Sequence, residues 1–308
     1  MTTIPLGPAD DTAPAKNGSG RPGPAAGPRS GGGKLARRIS AKVVIGVLLA
    51  VYGLVSLYPF LWMISAAFKN NIEVVRGGHL IPHSPTLHTL TSTWNQLHFF
   101  RYFVNSLEVT ALTVVLTLVV YAAAGYAFAV LDFPGRGILQ KLFISLLFVP
   151  GVTVMLPIVL LENKLHLLGT HMGLVLPFVN GGAPLSILLM TGAFSAVPKE
   201  LRESARVDGA NEFHVFTRIY LPLTRPALIT VGLLTAIPTW NEYLLTRVSL
   251  NNPSSYTLPL GLQTLSSENV PHYNEMMAGA LIVVVPVVLL FLSLQRYFVN
   301  GLVGAVKG

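Results

Sequence analysis

The feature that most restricts this chain is the recurrence of long apolar runs. Six of them, at about 42–66, 106–131, 140–161, 173–195, 227–248 and 276–298, approach the twenty residues that a bilayer crossing needs. Backbone N–H and C=O groups find no partner in hydrocarbon, so runs of this length must satisfy them internally as helices. The predicted fold class is an all-α polytopic membrane protein with six transmembrane helices. Charged residues make up only 11% of the chain, against about a quarter in soluble domains. There is no cysteine, which removes disulfide and thiolate chemistry. The formal charge of +8 does not mark a nucleic-acid partner. Its basic residues lie between apolar runs and are not gathered on one soluble face.

The first residues differ from the rest. Residues 1–39 are rich in Pro, Gly, Ala and Ser, and cannot bury enough surface to offset the entropy of ordering. They are expected to form a disordered tail, with residues 40–308 forming the membrane domain. Gly31-Gly32-Gly33-Lys34 lacks the spacing of a phosphate-binding loop. The first apolar run is long and far from Met1, which predicts an uncleaved anchor.

Basic residues alternate between connections. Lys34, Arg37, Arg38 and Lys42 precede the first run, and Arg136 and Lys141 separate the second from the third. Lys199, Arg202, Arg206, Arg218 and Arg225 separate the fourth from the fifth, and Arg296 and Lys307 lie at the end. The other connections hold fewer: Lys69, Arg76 and Arg101, then Lys164, then Arg247. The positive-inside rule therefore places both termini and the segment Pro198–Pro226 in the cytoplasm.

That segment is the most polar in the second half of the chain. Pro198 suits the first turn of a helix, and Glu200 complements the dipole there. Leu201, Ser204, Ala205 and Asp208 share a face, and the two small residues permit close approach of another surface. Gly209 provides the backbone freedom that ends the helix. A second helical stretch carries Phe213, Phe216 and Tyr220, and Pro222 is expected to stop it.

Other residues stand out by location. The first outer connection carries His79, His83, His88 and His98. A helix there could pair His79 with His83 at a metal, but Pro82 and Pro85 oppose a helix, so no metal site is assigned. Contact with an outer partner suits this loop better. Pro150-Gly151, Pro177, Gly181-Gly182, Pro238 and Pro286 interrupt the apolar runs, as in bundles built around a pathway. Asn180, Trp240 and Asn241 could supply hydrogen-bonding and stacking groups for a neutral solute. Glu242 has two open readings: it faces a cavity or partner, or it reaches water near the outer interface.

The spacing within Pro198–Pro226 resembles the EAA loop of ATP-binding-cassette importer permeases. Glu203-Ser204-Ala205 is followed after three residues by Gly209, then after nine by Ile219, then by Leu221-Pro222. Ser204 replaces the usual alanine. The resemblance implies a coupling helix that enters a cleft of an ATPase subunit, with Glu203, Ser204, Ala205, Asp208, Gly209, Phe213, Phe216, Ile219, Leu221 and Pro222 at the coupling surface. From the first apolar run onward the chain is similar to the sugar permeases of the maltose-permease type. The similarity is carried by Asn105-Ser106-Leu107, Asp132-Phe133-Pro134-Gly135, Leu165–Thr170, Pro198–Leu201, Trp240-Asn241-Glu242, Thr257-Leu258-Pro259 and Gln295–Phe298 with the closing Gly-Ala-Val-Lys-Gly.

Such a permease is implied to pair with a second, different permease subunit and with two ATPase copies. A lipid-anchored binding protein would deliver a sugar, an oligosaccharide or amino sugar, on the outer face of a bacterial cell membrane. ATP would be bound by the ATPase and no cofactor by this chain, which is expected not to be an enzyme. The outer loop at about 251–268 takes the place of the loop that reaches toward the binding protein. An ion-coupled secondary sugar transporter is the alternative. That class often shows inverted repeats and paired intramembrane carboxylates, and no clear repeat is visible here. The six-span topology predicts that reporters at Met1 and Ser204 share a compartment and one at Ser266 lies in the other; matching signals at Ser204 and Ser266 would overturn it.

Overall fold

The computed structural model describes residues 31–96, 99–265 and 272–306. Most of the expected tail, residues 1–30, and the reporter position Ser266 lie outside the described residues. The described residues are helical and connecting segments, and the chain divides into two units, Met1–Ser56 and Leu57–Gly308. In the first unit the described part belongs to helix α1 (Gly31–Ala67). The helix corrects the expectation for 31–39: it already includes these residues. Lys34, Leu35, Ala36, Arg37 and Arg38 are good helix formers that extend the apolar span.

In the second unit, α2 (Asn71–Arg76) and α3 (His88–Gln96) follow α1 in the first polar connection. The long helix α4 (Phe99–Val130) follows, then α5 (Arg136–Ser145) and α6 (Gly151–Lys164). Next come α7 (His171–Ser195) and α8 (Lys199–Val207), then the short α9 (Glu212–Val215) and α10 (Leu221–Leu223). The chain finishes with α11 (Arg225–Trp240), α12 (Leu244–Ser249), α13 (Leu258–Thr264) and α14 (Tyr273–Val306). Among the described residues, four helices are long and apolar enough to cross a membrane, or six if two bent pairs each count as one span.

The bent pairs are Arg136–Phe148 with Gly151–Lys164, and Glu212–Leu223 with Arg225–Trp240, which turns by 78° at Thr224. The third run, expected to be continuous over 140–161, breaks at Pro150, and its two halves meet at 105°. Val149 is held in extended backbone because the following proline disfavours the helical region. The fifth run, expected over 227–248, ends at Trp240. There the Glu242 carboxylate accepts from the N–H groups of Leu245 and Thr246 and starts α12 as a separate helix. Proline alone is not sufficient to break a span: α7 continues through Pro177 and Pro184, and α14 through Pro286. Pro222, expected as a stop, lies inside α10.

The core of the second unit forms around α4. It packs along α7, and α11 lies against α4, α7 and α14. Tyr126, Met190, Phe194, Val215, Tyr220 and Val231 form a buried cluster. Association of apolar helices in lipid depends on close packing, and Gly125 permits it here. A Cβ at Gly125 would stand 2.5 Å from Met190 Cβ and 3.0 Å from the Met190 carbonyl carbon.

The connection that carries α2 and α3 is anchored by a buried cation. Lys69 is 1% exposed, with its ammonium group 4.8 Å from the centre of the Trp62 ring and hydrogen-bonded to the carbonyl of His79. Its own carbonyl accepts from Thr89 Oγ1 at 3.2 Å and Asn274 Nδ2 at 3.4 Å. His79 and His83 contact edge to face, and no metal-competent group of three or more ligands occurs among the described residues. Instead His83 donates its backbone N–H to Glu73, which holds that carboxyl below its usual range.

Gly125→Ala should lower stability by about 1–3 kcal/mol through overpacking. Gly192→Ala, on the facing helix with no atom within 4 Å of the added Cβ, should be neutral or slightly stabilising. Thermal unfolding in detergent measures both, and equal midpoints would reject the close contact of α4 and α7.

Candidate coupling surface and substrate pathway

The Pro198–Pro226 segment folds as two helical pieces around a glycine. Pro198 occupies the position just before α8, one residue earlier than its expected place in the first turn, and Glu200 lies in that turn. The turn after α8 closes through Gly209 N–H to the carbonyl of Arg206 (3.1 Å) and Ala210 N–H to the carbonyl of Ala205 (2.9 Å). Gly209 has φ +87°, a conformation that a side chain would strain. Asn211 then caps α9 by accepting from the N–H of His214 at 2.8 Å.

The predicted coupling residues sort into two faces. Glu203, Ser204, Asp208, Gly209, Phe213 and Pro222 are exposed. They are joined by Val207, which is 88% exposed, while Phe213 is 73% exposed. Ala205, Phe216, Ile219 and Leu221 turn inward and pack on the cluster around Tyr126 and Phe194. Ala205 was expected to receive another surface. What approaches it is the protein's own core, because α8 lies with that side against the ends of α4 and α7.

A carboxylate holds the two pieces together. Glu212 accepts from Arg202 Nη2 at 2.6 Å and Nε at 3.3 Å, and from the Tyr126 hydroxyl at 2.7 Å. Arg206 Nε lies 3.9 Å away. The Arg202 hydrogen bond is the main reason that the Glu212 carboxyl lies below its usual range, and Tyr126 adds to it. Sequence reasoning missed all three residues. Opposite charges ten positions apart across a helix-ending glycine were a visible signal for Arg202 and Glu212. Tyr126, 86 residues away, had none.

The predicted pathway residues are not brought together. Glu242 lines two neighbouring cavities of about 350 and 410 Å³, which also share Pro177, Phe178 and Gly181 of α7. The larger one adds the hydroxyl residues Ser186, Thr235 and Thr239. Asn180 and Asn241 are exposed and line neither cavity, and Asn241 donates back to the Ile237 carbonyl of its own helix. Trp240 is buried with Phe99, Tyr102 and Leu258, and its indole N–H donates to the Val283 carbonyl at 3.1 Å. Glu242 borders both cavities, while its oxygens serve the start of α12.

Comparison with known proteins agrees with this architecture. A family described as "Binding-protein-dependent transport system inner membrane component" matches residues 120–303. The probable ABC transporter permease protein YurM of Bacillus subtilis (strain 168) is 35% identical, over 86% of this chain and 88% of its own length. The arabinooligosaccharides transport system permease protein AraQ of Halalkalibacterium halodurans is 35% identical, over 84% of this chain and 94% of its own. Among solved structures, a chain of a bacterial ABC transporter involved in the import of the acidic polysaccharide alginate superposes with a TM-score of 0.76 at 27% identity. That alignment covers 85% of this chain and 98% of the other. The matched family is a non-enzymatic membrane component, and nothing in these likenesses supports an ion-coupled secondary transporter. With its helix–glycine–helix segment and core spans inside the matched region, the chain belongs to the inner-membrane permease family of binding-protein-dependent ABC importers.

Proposed function

We propose that this permease forms half of the pathway for an oligosaccharide or amino sugar. A second, different permease subunit would supply the other half. Two ATPase subunits would bind ATP and receive the coupling helices, and an extracytoplasmic lipoprotein would deliver the sugar. The reading places both termini and α8 on the cytoplasmic side of a bacterial cell membrane. Relatives whose names specify oligosaccharides support the substrate class. The observation that carries the reading is the two-sided coupling segment: Val207 and Phe213 stand exposed beside Glu203 and Asp208, while Ala205 and Phe216 are packed on the spans. Exposed apolar side chains rimmed by charge fit a protein cleft.

The mechanism follows from that geometry. ATP favours the closed ATPase pair, and a docked α8 moves with the subunit that holds it. Arg202, Glu212 and Tyr126 transfer this displacement to α4 through charge-assisted hydrogen bonds, which resist sliding better than apolar contact alone. The packed spans α4, α7 and α11 then move largely as one body and expose the cavities beside Glu242 to one side or the other. The equilibrium is biased by the preference of ATP for the closed pair and of the binding protein for the outward state.

Two experiments test the coupling assignment. Glu203→Lys reverses an exposed charge at the docking face, so ATPase retained on purification should drop on the order of tenfold or more, with a smaller drop for Glu203→Gln. Undiminished retention would remove Glu203 from the docking surface. Glu212→Gln should keep the ATPase but lose most uptake and speed hydrogen exchange of α8. Normal uptake would reject the transfer role of Glu212. Its carboxyl is held low in the folded protein, so its contribution is complete above the ordinary carboxylate range and is lost as pH falls below that range through the lower folded value.

A further inference from the structure

The Asn105-Ser106 pair that opens the second apolar run takes no part in the coupling surface or the cavities, yet both residues are buried, at 7% and 2% exposure. Tyr102, Asn105, Ser106 and Val109 stand at helical spacing and share one face of α4. The segment after α12 is seated on that face. Asn105 Nδ2 donates to the carbonyls of Ser254 at 3.0 Å and Tyr256 at 2.9 Å, which uses both of its protons. The Ser106 hydroxyl accepts from the N–H of Leu258, the first residue of α13, at 2.8 Å. Thr257, just before α13, makes no side-chain cap, so Ser106 supplies from another helix what a capping residue supplies from its own. Val109 packs with Leu260, and a Cβ at Gly261 would overlap the Tyr102 ring. A helix of seven residues does not hold its shape in isolation, so α13 depends on its seat for place and form.

The same helix is fixed at its other end. The Tyr126 hydroxyl donates to Glu212, which holds α8 through Arg202. At roughly 1.5 Å per residue, about 30 Å of helix separates Asn105 from Tyr126, the hydrocarbon thickness of a bilayer. The helix between them is uninterrupted. The other long helices α1, α7 and α14 each contain proline, the usual cause of a kink, and α4 contains none.

We propose that Asn105 and Ser106 are positioning residues that make α13 ride on α4, so that α4 is the strut by which a displacement of α8 reaches the loop after α12. This rests on the reading of α8 as the part moved by the ATPase and of that loop as the part that meets the binding protein. Apolar contact alone would let α13 slide over α4, whereas three hydrogen bonds of fixed direction set its register. A displacement entering at Tyr126 therefore moves α13 as well. A binding protein that engages the loop acts back on α8 through the same bonds, because coupling between two sites is reciprocal.

Asn105→Leu keeps the approximate shape but removes both donors. In the importer reconstituted in lipid nanodiscs with its ATPase, stimulation of ATP hydrolysis by sugar-loaded binding protein should fall on the order of tenfold, and sugar uptake with it. Hydrolysis without binding protein, and ATPase retained on purification, should stay within about twofold, because the coupling end of α4 is far from the change. Ser106→Ala removes one bond and should give the same pattern in weaker form. Val104→Ala, at an exposed position one residue away, should change none of these quantities. Stimulation that survives in Asn105→Leu, or a parallel fall of stimulated and unstimulated hydrolysis, would overturn the proposal. Failure of both Asn105→Leu and Ser106→Ala to assemble would also overturn it, since the pair would then serve folding alone. An unaltered importer whose hydrolysis ignores the binding protein would overturn the functional reading itself, and the strut with it.

Discussion

The triple contact of Arg202, Tyr126 and Glu212 is the constraint on which the rest of this structure depends. A short polar helix such as α8 has too little apolar surface to stay attached by burial alone. Only Ala205 of the predicted coupling residues in α8 packs inward. A carboxylate that accepts two bonds from one guanidinium and one from a phenol fixes both distance and angle. Because Tyr126 belongs to α4, and α4 packs on α7 and α11, α8 is referenced to the whole span bundle.

Within the bilayer the same demand for satisfied backbone groups explains where the spans hold and where they break. α7 keeps its helix across Pro177 and Pro184, with neighbours packed along it. The third run breaks because Pro150 forces extended backbone on Val149. The fifth ends because Glu242 offers its oxygens to the next N–H groups, and a new helix begins. The residue that ends the span also lines the cavities, so the break and the polar lining have one origin.

Two loops are tied down by unlike means. Lys69 is buried under Trp62 and backbone carbonyls, and Asn274 reaches back to the Lys69 carbonyl, which ties the connection of α2 and α3 to α14. The loop after α12 is tied to α4 and α7 by Asn105, Ser106 and His171. A loop held by a few polar bonds over a rigid bundle can be released without disturbing the spans beneath it.

What the sequence determined by itself was everything that depends on local chemistry. Apolar run length required helices, and Gly209 at its fixed distance from Glu203 marked a helix end that does adopt positive φ. The tertiary structure alone decided which side chains meet. Trp240 and Asn241 adjoin Glu242 in sequence and read as one polar group. In space Trp240 bonds to Val283 and lines a separate apolar cavity, Asn241 bonds to its own helix, and Glu242 borders the two cavities beside α7. Tyr126 read as one more aromatic in an apolar span until α8 folded back over it, and His171 as a surface histidine until Ser255 was brought to its ring. The reason is physical: backbone conformation follows from neighbours a few residues away. The contacts of Tyr126 and His171 join groups separated by 63 to 86 positions, whose meeting only the packed helices determine.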